Sequence, residues 1–165
     1  MTGLGVHFAI GEETVARLLG ADDDAAVIAI VDAIEEDEDT DPAYVFATDK
    51  AWDALHRCLT DGTLEIGTGT FPLSHAVLGG VQLCEDSDYL VSLIRADQVS
   101  AIADALSLLD EAALRRRYDG FEFPDYAGVR GDDDFAYTWG NIDGIADFFQ
   151  AAARDGRAVI FTVEL

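Results

Sequence analysis

The sequence predicts an α+β fold, in which several amphipathic helices pack on a mixed sheet of short strands. Its 165 residues are typical of one domain, so residues 1–165 are assigned to a single compact unit. Half of the residues are hydrophobic, which is enough to build a core without support from disulfides or metals. Strand-like and helix-like segments alternate irregularly, with no repeat and no long linker between them. This order is unlike a regular βαβ series and favours an α+β domain.

The first third of the chain predicts one strand and two helices. Apolar residues alternate over 6–10, which is the period of a half-buried strand. Two acids open a short helix over 12–19, and the aspartates at 22–24 supply the N-cap of a second helix. Six of the seven residues over 35–41 are acidic. Because these carboxylates repel one another, we expect a solvated loop there.

The middle of the chain predicts short elements separated by turns. They are a strand at 44–47, a helix from Asp49 to about Thr60, a short helix over 72–78, an extended segment at 81–84 and a strand at 89–94. Thr48 or Asp49 is expected to cap the first of these helices.

The last third predicts three helices and one strand. The helices span 97–109, the residues from Asp110 to Tyr118, and 141–154, while the strand covers 158–163. Residues 119–135 are expected to be irregular.

The charge of the chain excludes several classes of partner. There are 33 acids and 10 bases, which gives a net charge of −23, and Lys50 is the only lysine. Nucleic acids and anionic membranes repel such a chain, because both require a basic footprint on the protein. We therefore expect no nucleic-acid partner and no membrane partner.

The sequence also indicates a cytoplasmic protein. The N-terminus lacks the basic stretch and long apolar segment of a signal peptide. No apolar run reaches the length of about 18 residues that spans a bilayer. Cys58 and Cys84 are interpreted as reduced thiols, because a chain of this size needs no disulfide.

Metal and cofactor motifs fail on inspection. Asp37, Asp39 and Asp41 have the first spacings of a calcium loop, but Pro42 replaces the turn glycine and Thr48 replaces the final glutamate. The pair of glycines at 67 and 69 is too short for a dinucleotide fingerprint, and no HExxH or CxxC motif is present. No metal site and no cofactor are therefore expected.

Catalytic motifs are equally absent. Ser74 and His75 are adjacent, so on a helix they would point about 100° apart, and the surrounding residues do not form a GxSxG elbow. Neither cysteine has an activating partner in the sequence. The arginine run 115–117 is expected to interact with the C-terminal end of its helix dipole and also to pair with the protein's own acids, rather than to form an anion site. No catalytic residue is assigned, and a non-enzymatic role is favoured.

The helix from Asp49 is the candidate functional segment. Its core stripe is predicted to be Ala51, Ala54, Leu55, Cys58 and Leu59. The candidate ligand or partner face on the opposite side consists of Asp49, Trp52, Asp53 and His56. A tryptophan between carboxylates and an imidazole could stack on a ligand or a cationic side chain. Alternatively, Asp49 only caps the helix, Trp52 covers a second layer of the domain and His56 is simply exposed.

Several motifs in order resemble the YfbM-like family of small bacterial proteins, a domain of unknown function. They are Lys50-Ala51-Trp52-Asp53, Leu78-Gly79-Gly80, Leu114 to Asp119 and Gly156 to Phe161, together with the opening Gly5 to Ile10. The resemblance covers nearly the whole chain and implies a single compact α+β domain. It implies no reaction and no catalytic residue.

Two hypotheses of function follow. The first is a cytoplasmic, immunity-like or interaction module that binds a basic protein, such as a toxin that it neutralises, because complementary charge speeds association. The second is a small enzyme or ligand-binding protein that uses the face from Asp49 to His56. We expect a monomer or a weak homodimer.

Overall fold

A computed structural model of the chain describes residues 3–165, which form one five-stranded sheet with helices on both faces. The strands are β1 (Gly5–Ile10), β2 (Val45–Asp49), β3 (Val81–Gln82), β4 (Tyr89–Ile94) and β5 (Ala158–Glu164). The helices are α1 (Glu12–Leu19), α2 (Asp24–Glu36), α3 (Trp52–Leu59), α4 (Ala96–Ser107), α5 (Glu111–Gly120), α6 (Asp132–Ile142) and α7 (Ile145–Arg154). Two short 3₁₀ turns lie at Pro42–Tyr44 and Leu73–His75.

The strands are arranged in the order β2-β1-β5-β4-β3, and every neighbouring pair among them is antiparallel. The predicted α+β class is confirmed, whereas the expectation of a mixed sheet is wrong. The two ends of the chain meet at the centre of the sheet, where Phe8 on β1 is paired with Ile160 on β5. A pairing between residues so distant in sequence leaves no local signal of strand direction.

Each sheet face covers its own hydrophobic core. Because side chains alternate along a strand, Val159 and Phe161 of β5 face the larger core, while Ile160 faces the smaller one. Helices α3 to α7 contribute to the larger core. Helices α1 and α2 pack on the opposite face with Leu18 and Val31 as buried contacts.

The predicted N-cap of α2 is confirmed, and α1 and α5 are capped as well. Gly20 ends α1, and Asp23 accepts a hydrogen bond from the Ala26 backbone N–H at 2.8 Å at the start of α2. Asp110 accepts one from Ala113 at 2.8 Å at the start of α5. Each cap satisfies a backbone group that has no partner within its helix.

The segment 119–135 is less irregular than predicted, because helix α6 begins inside it at Asp132. The acids at 132–134 occupy the first turn of α6, where carboxylates interact favourably with the positive end of the helix dipole. The single helix predicted over 141–154 is instead the end of α6 and all of α7. Gly144 separates them with a φ of 95°, a conformation that glycine adopts without strain.

Helix α3 begins at Trp52, three residues later than predicted. Its N-cap is Ala51, so the expectation that Thr48 or Asp49 caps the helix is wrong. Asp49 ends strand β2 with a φ of 51°, in the left-handed region. The helix predicted over 72–78 is shorter as well, with one 3₁₀ turn at Leu73–His75.

Both cysteines are free thiols, Cys58 buried and Cys84 half-buried. Within residues 3–165, none of the helices has both the length and the apolar character that crossing a bilayer requires.

Candidate functional site

Helix α3 is buried on all sides. The predicted core stripe is confirmed, because each of its residues is at most 2% exposed. The opposite side is buried too, since Trp52 and His56 are 1% exposed and Asp53 is 4% exposed. The expectation that Asp53 and His56 point away from the protein interior is therefore wrong.

Trp52 has a structural environment. Its indole N–H donates a hydrogen bond to the Gly3 carbonyl at 3.0 Å, and its ring lies 5.8 Å from the ring of Phe161. A buried tryptophan with a satisfied N–H acts as a large core residue. It is not available for stacking on a ligand in this structure.

Asp53 is engaged by Arg57, one helical turn further on. The Arg57 Nε donates to the Asp53 carboxylate at 2.6 Å, and both side chains are buried. Arg57 also donates to the carbonyls of Gly62 at 3.2 Å and Pro124 at 2.7 Å. Its guanidinium carbon lies 5.7 Å from the centre of the Phe123 ring, at a distance typical of a cation–π contact. Asp53 thus forms part of a buried ion pair, not of an open carboxylate site.

His56 and Asp49 lie in different environments, because His56 is buried and Asp49 is exposed. His56 Nε2 lies 3.0 Å from the Glu65 carbonyl, so this nitrogen is the donor, and burial lowers the pKa of the imidazole. Asp49 is exposed and accepts hydrogen bonds from the Tyr137 hydroxyl at 2.5 Å and from the Lys50 backbone N–H at 2.8 Å. The hydrogen bond from Tyr137 is the main reason why the pKa of Asp49 lies below its ordinary value. The four predicted residues therefore do not form one accessible face.

Ser74 and His75 are closer than their sequence positions predict. The Ser74 Oγ lies 3.0 Å from His75 Nδ1, because a 3₁₀ turn rather than an α-helix holds them. Ser74 is 6% exposed, and no hydrogen bond joins His75 to a carboxylate within the described residues. A serine nucleophile needs an accessible Oγ and usually an oriented imidazole, so this pair does not amount to a catalytic site.

Two arginines of the run 115–117 contact the protein's own groups, and the predicted pairing with acids is confirmed for Arg115. Arg115 contacts the carboxylates of Asp119 and Asp132, each at 3.0 Å. Arg117 donates to the carbonyl of Cys58 at 3.2 Å.

About half of the net negative charge lies in the first third of the chain. Residues 1–49 contain thirteen acids, and Arg17 is the single base among them. This stretch supplies α1, α2 and the acidic loop after α2, which together cover one face of the sheet. The asymmetry is visible in the sequence, but only the fold shows that the acids of α1, α2 and the loop after α2 lie on the same side of the sheet.

The N-terminal end of α2 carries one acidic cluster. Asp22, Asp23 and Asp24 lie beside Glu85 and Asp86, around a shallow cavity of about 590 Å³. The Asp24 carboxylate accepts hydrogen bonds from the backbone N–H groups of Glu85, at 3.1 Å, and Asp86, at 2.9 Å. These contacts anchor the turn that precedes β4. Within residues 3–165, no group of three or more histidines, cysteines or carboxylates has the geometry of a metal site.

A larger groove lies at the other end of α2, against strands β1 and β2. This cavity of about 730 Å³ is called the α2 groove. Its apolar floor is formed by Leu4, Val6, Phe8, Ile34, Val45 and Leu165. Its rim carries the carboxylates of Glu35, Asp37 and Glu164. A second cavity of about 350 Å³ adjoins it, with Asp39 and Asp41 among its lining residues.

The sequence pattern does not predict the α2 groove, because its residues come from both ends of the chain and from four strands. Leu4 precedes the apolar strand β1 and Leu165 follows the apolar strand β5, yet their side chains are 59% and 42% exposed. Glu35 is held in place by the Tyr89 hydroxyl, which donates to it at 2.8 Å.

Comparison with known proteins places this architecture in a known group. A profile of the family described as Domain of unknown function (DUF1877) matches residues 1–162. The crystal structure of YfbM from Escherichia coli, a protein of unknown function, is similar with a TM-score of 0.67 and 25% sequence identity. That similarity covers 97% of this chain and 99% of YfbM. Among curated proteins, none matches. The resemblance inferred from the sequence motifs is thus confirmed. Both the family and YfbM are described as of unknown function, so the similarity assigns no reaction to this chain.

Proposed function

We propose that this chain, which belongs to the family described as Domain of unknown function (DUF1877), is an acidic binding module for a basic protein partner. The observation that carries the proposal is the excess of thirteen acids over one base in residues 1–49, the stretch that forms the α1–α2 side of the sheet. A surface of one charge sign steers partners of the opposite sign and speeds their association.

The charge distribution sets the class of partner. Polyanions such as nucleic acid are repelled, as is a second copy of the same face, so the module acts as a monomer or at most a weak homodimer. The free thiols of Cys58 and Cys84 fit a reducing compartment, which supports a cytoplasmic location.

The alternative function has little support. An enzyme or ligand-binding protein built on the face from Asp49 to His56 would need side chains that reach a ligand. Of the four residues predicted for that face, only Asp49 is exposed.

Affinity capture with the whole protein as bait tests the proposal. Partners are retained from a lysate of the source cells at low salt and at physiological salt, and then identified by mass spectrometry. We expect a basic protein whose retention falls as salt rises, because salt screens exposed charges beyond about 10 Å at 0.1 M. Recovery of no basic protein in either condition would overturn the proposal.

A matched pair of variants tests whether the acidic face, rather than the net charge, binds the captured protein. The first variant removes three charges from the loop after α2, as D37N, E38Q and D39N. The control removes three exposed charges elsewhere, as D104N, E111Q and D133N. We expect about fivefold weaker binding for the first variant and less than about twofold for the control. Equal weakening of both would contradict an assignment to this face.

A further inference from the structure

The α2 groove combines two features that are usually separate on a protein surface. Its floor is apolar and includes two large exposed side chains, Leu4 and Leu165. Its rim is acidic, and no lysine or arginine lines this cavity within the part of the chain that the structure describes. Exposed apolar surface that is edged with polar groups is typical of a site where another molecule docks.

The carboxylates of the rim have no cationic partner within the described residues, although that of Glu35 accepts hydrogen bonds from the hydroxyls of Tyr89, at 2.8 Å, and Thr162, at 3.4 Å. Glu35, Asp37 and Glu164 are exposed and form no salt bridge within residues 3–165. The adjoining cavity contains one base, Arg157, whose guanidinium carbon lies 3.9 Å from the centre of the Tyr44 ring. This arginine is therefore turned onto an aromatic ring rather than toward the rim of the α2 groove.

From this combination we propose that the α2 groove docks an amphipathic, basic segment of the partner protein. Apolar side chains of that segment lie on the floor between Leu4 and Leu165, and its lysines or arginines face Glu35, Asp37 and Glu164. This inference rests on the proposed function and adds where the partner binds and which chemistry it must present. A helix with one apolar and one basic face meets both requirements, because such a helix docks in a groove through anchors at positions i, i+3, i+4 and i+7.

Charge complementarity decides between the possible occupants. A second copy of this chain would bring the same acidic rim against this one, and like charges in close contact oppose association. A small apolar ligand would cover the floor but leave the three carboxylates without cationic partners. A basic amphipathic segment is the occupant that matches the floor and the rim together.

Binding of a model peptide to the full-length protein tests the proposal. The probe is a fluorescein-labelled helical peptide of 18 residues, made of leucine and lysine, with leucine at i, i+3, i+4 and i+7. A peptide of the same composition with the leucines dispersed around the helix is the control for diffuse attraction. Fluorescence anisotropy measures the dissociation constants at several salt concentrations.

Two pairs of variants then test the location. L4S with L165S removes exposed apolar surface from the floor, and L108S with V129S removes it elsewhere, where these residues are 84% and 89% exposed. D37N with E164Q removes two rim charges, and D22N with D86N removes two charges from the cluster at the other end of α2. We expect each groove variant to bind the amphipathic peptide about tenfold more weakly, with changes below about twofold for each control.

Several outcomes would overturn the docking site. They are equal binding of the two peptides, equal effects of the groove and control variants, or no binding of the amphipathic peptide at all. Sedimentation that shows a dimer broken by L4S and L165S would assign the groove to a second copy of the chain instead.

If affinity capture still recovers a basic partner in these cases, the proposed function stands and only the proposed binding location is wrong. If capture recovers none, the proposed function itself falls, whatever the peptide does.

Discussion

The Asp53 carboxylate and the Arg57 guanidinium form an ion pair of 2.6 Å across one turn of α3, and both side chains are almost fully buried. Because the two charges are paired, the polar side of α3 can be buried in the protein interior. Removal of two charges from water is costly, and Arg57 offsets part of this cost through its bonds to the carbonyls of Gly62 and Pro124. Through Arg57, the pair therefore links α3 to the turn that follows it and to the loop after α5.

Loss of the Asp53 carboxylate should strongly destabilise the protein. Asp53→Ala leaves the buried charge of Arg57 without its counter-ion, so we expect the free energy of unfolding to fall by about 3–5 kcal/mol. Urea denaturation measures this change. The control is Asp97→Ala, which breaks the exposed pair with Arg95 and should cost less than about 1 kcal/mol. An equally small effect of Asp53→Ala would show that the pair contributes little.

Helix α3 shows how much a local sequence pattern can predict. Apolar spacing identified every residue of the core stripe, because that stripe depends only on the period of the helix. The other side was predicted wrongly, because segments distant in sequence cover it. The Glu65 carbonyl is bonded to His56, and the Phe123 and Tyr126 rings enclose the guanidinium of Arg57. Contacts of this kind are absent from any local pattern.

The same reasoning explains the rest of the fold. Strands β1, β4 and β5 and the caps at Asp23 and Asp110 were predictable, because local alternation and capping chemistry specify them. The start of helix α6 was not predicted, because Asp132–Asp134 lie within the segment 119–135, which is expected to be irregular. The α2 groove was not predictable, because it exists only once the two ends of the chain pair at the centre of the sheet.

Truncation of Trp52 should test its structural role. Trp52→Ala removes a fully buried indole that contacts Phe161, so we expect a loss of about 3–5 kcal/mol. Leu55→Ala, on the other side of the same helix, is the positive control and should cost about 2–5 kcal/mol. Thermal melts of both variants check the expectation. A Trp52→Ala protein as stable as its parent would contradict the buried position of the indole.

The two thiols should differ in reactivity. Cys58 is fully buried, and burial raises its pKa to about 12, so the reactive thiolate is scarce at pH 8. Cys84 is half-buried, and burial raises its pKa as well, so its reaction should be slow but complete. Titration with a disulfide reagent should find one reactive thiol in the native protein and two after denaturation. Cys84→Ser should abolish the native signal, and two native equivalents would contradict the burial of Cys58.

Salt should stabilise the protein. The net charge of −23 opposes compaction through self-repulsion, and salt screens this repulsion. Between low salt and about 0.3 M, we expect the melting temperature to rise by about 2–4 °C for each kcal/mol of repulsion removed. The variant with D37N, E38Q and D39N should show a smaller rise. A melting temperature that is unchanged or lower in salt would contradict the expectation.

His7 should make stability depend on pH. Its ring is fully buried among Phe148, Phe149 and Phe161. Its Nε2 lies 2.7 Å from the Ala76 carbonyl, while its Nδ1 has no hydrogen-bond partner among residues 3–165. Burial disfavours the imidazolium and lowers the pKa to about 4, although the hydrogen bond to Ala76 partly opposes this shift. His7 is therefore neutral in the folded protein at pH 7.

Because the pKa of His7 is lower in the folded state than its ordinary value of 6.5, the unfolded chain binds more protons between these values. Neutral His7 makes its full contribution to the free energy of unfolding above about pH 6.5. This contribution decreases by about 3 kcal/mol as the pH falls to about 4. Carboxylates titrate in the same range, so the informative quantity is the difference between the parent and His7→Gln. Urea denaturation from pH 4 to pH 8 should show this difference shift in favour of the variant by about 3 kcal/mol at the acidic end. A difference that does not change with pH would mean that His7 does not titrate there.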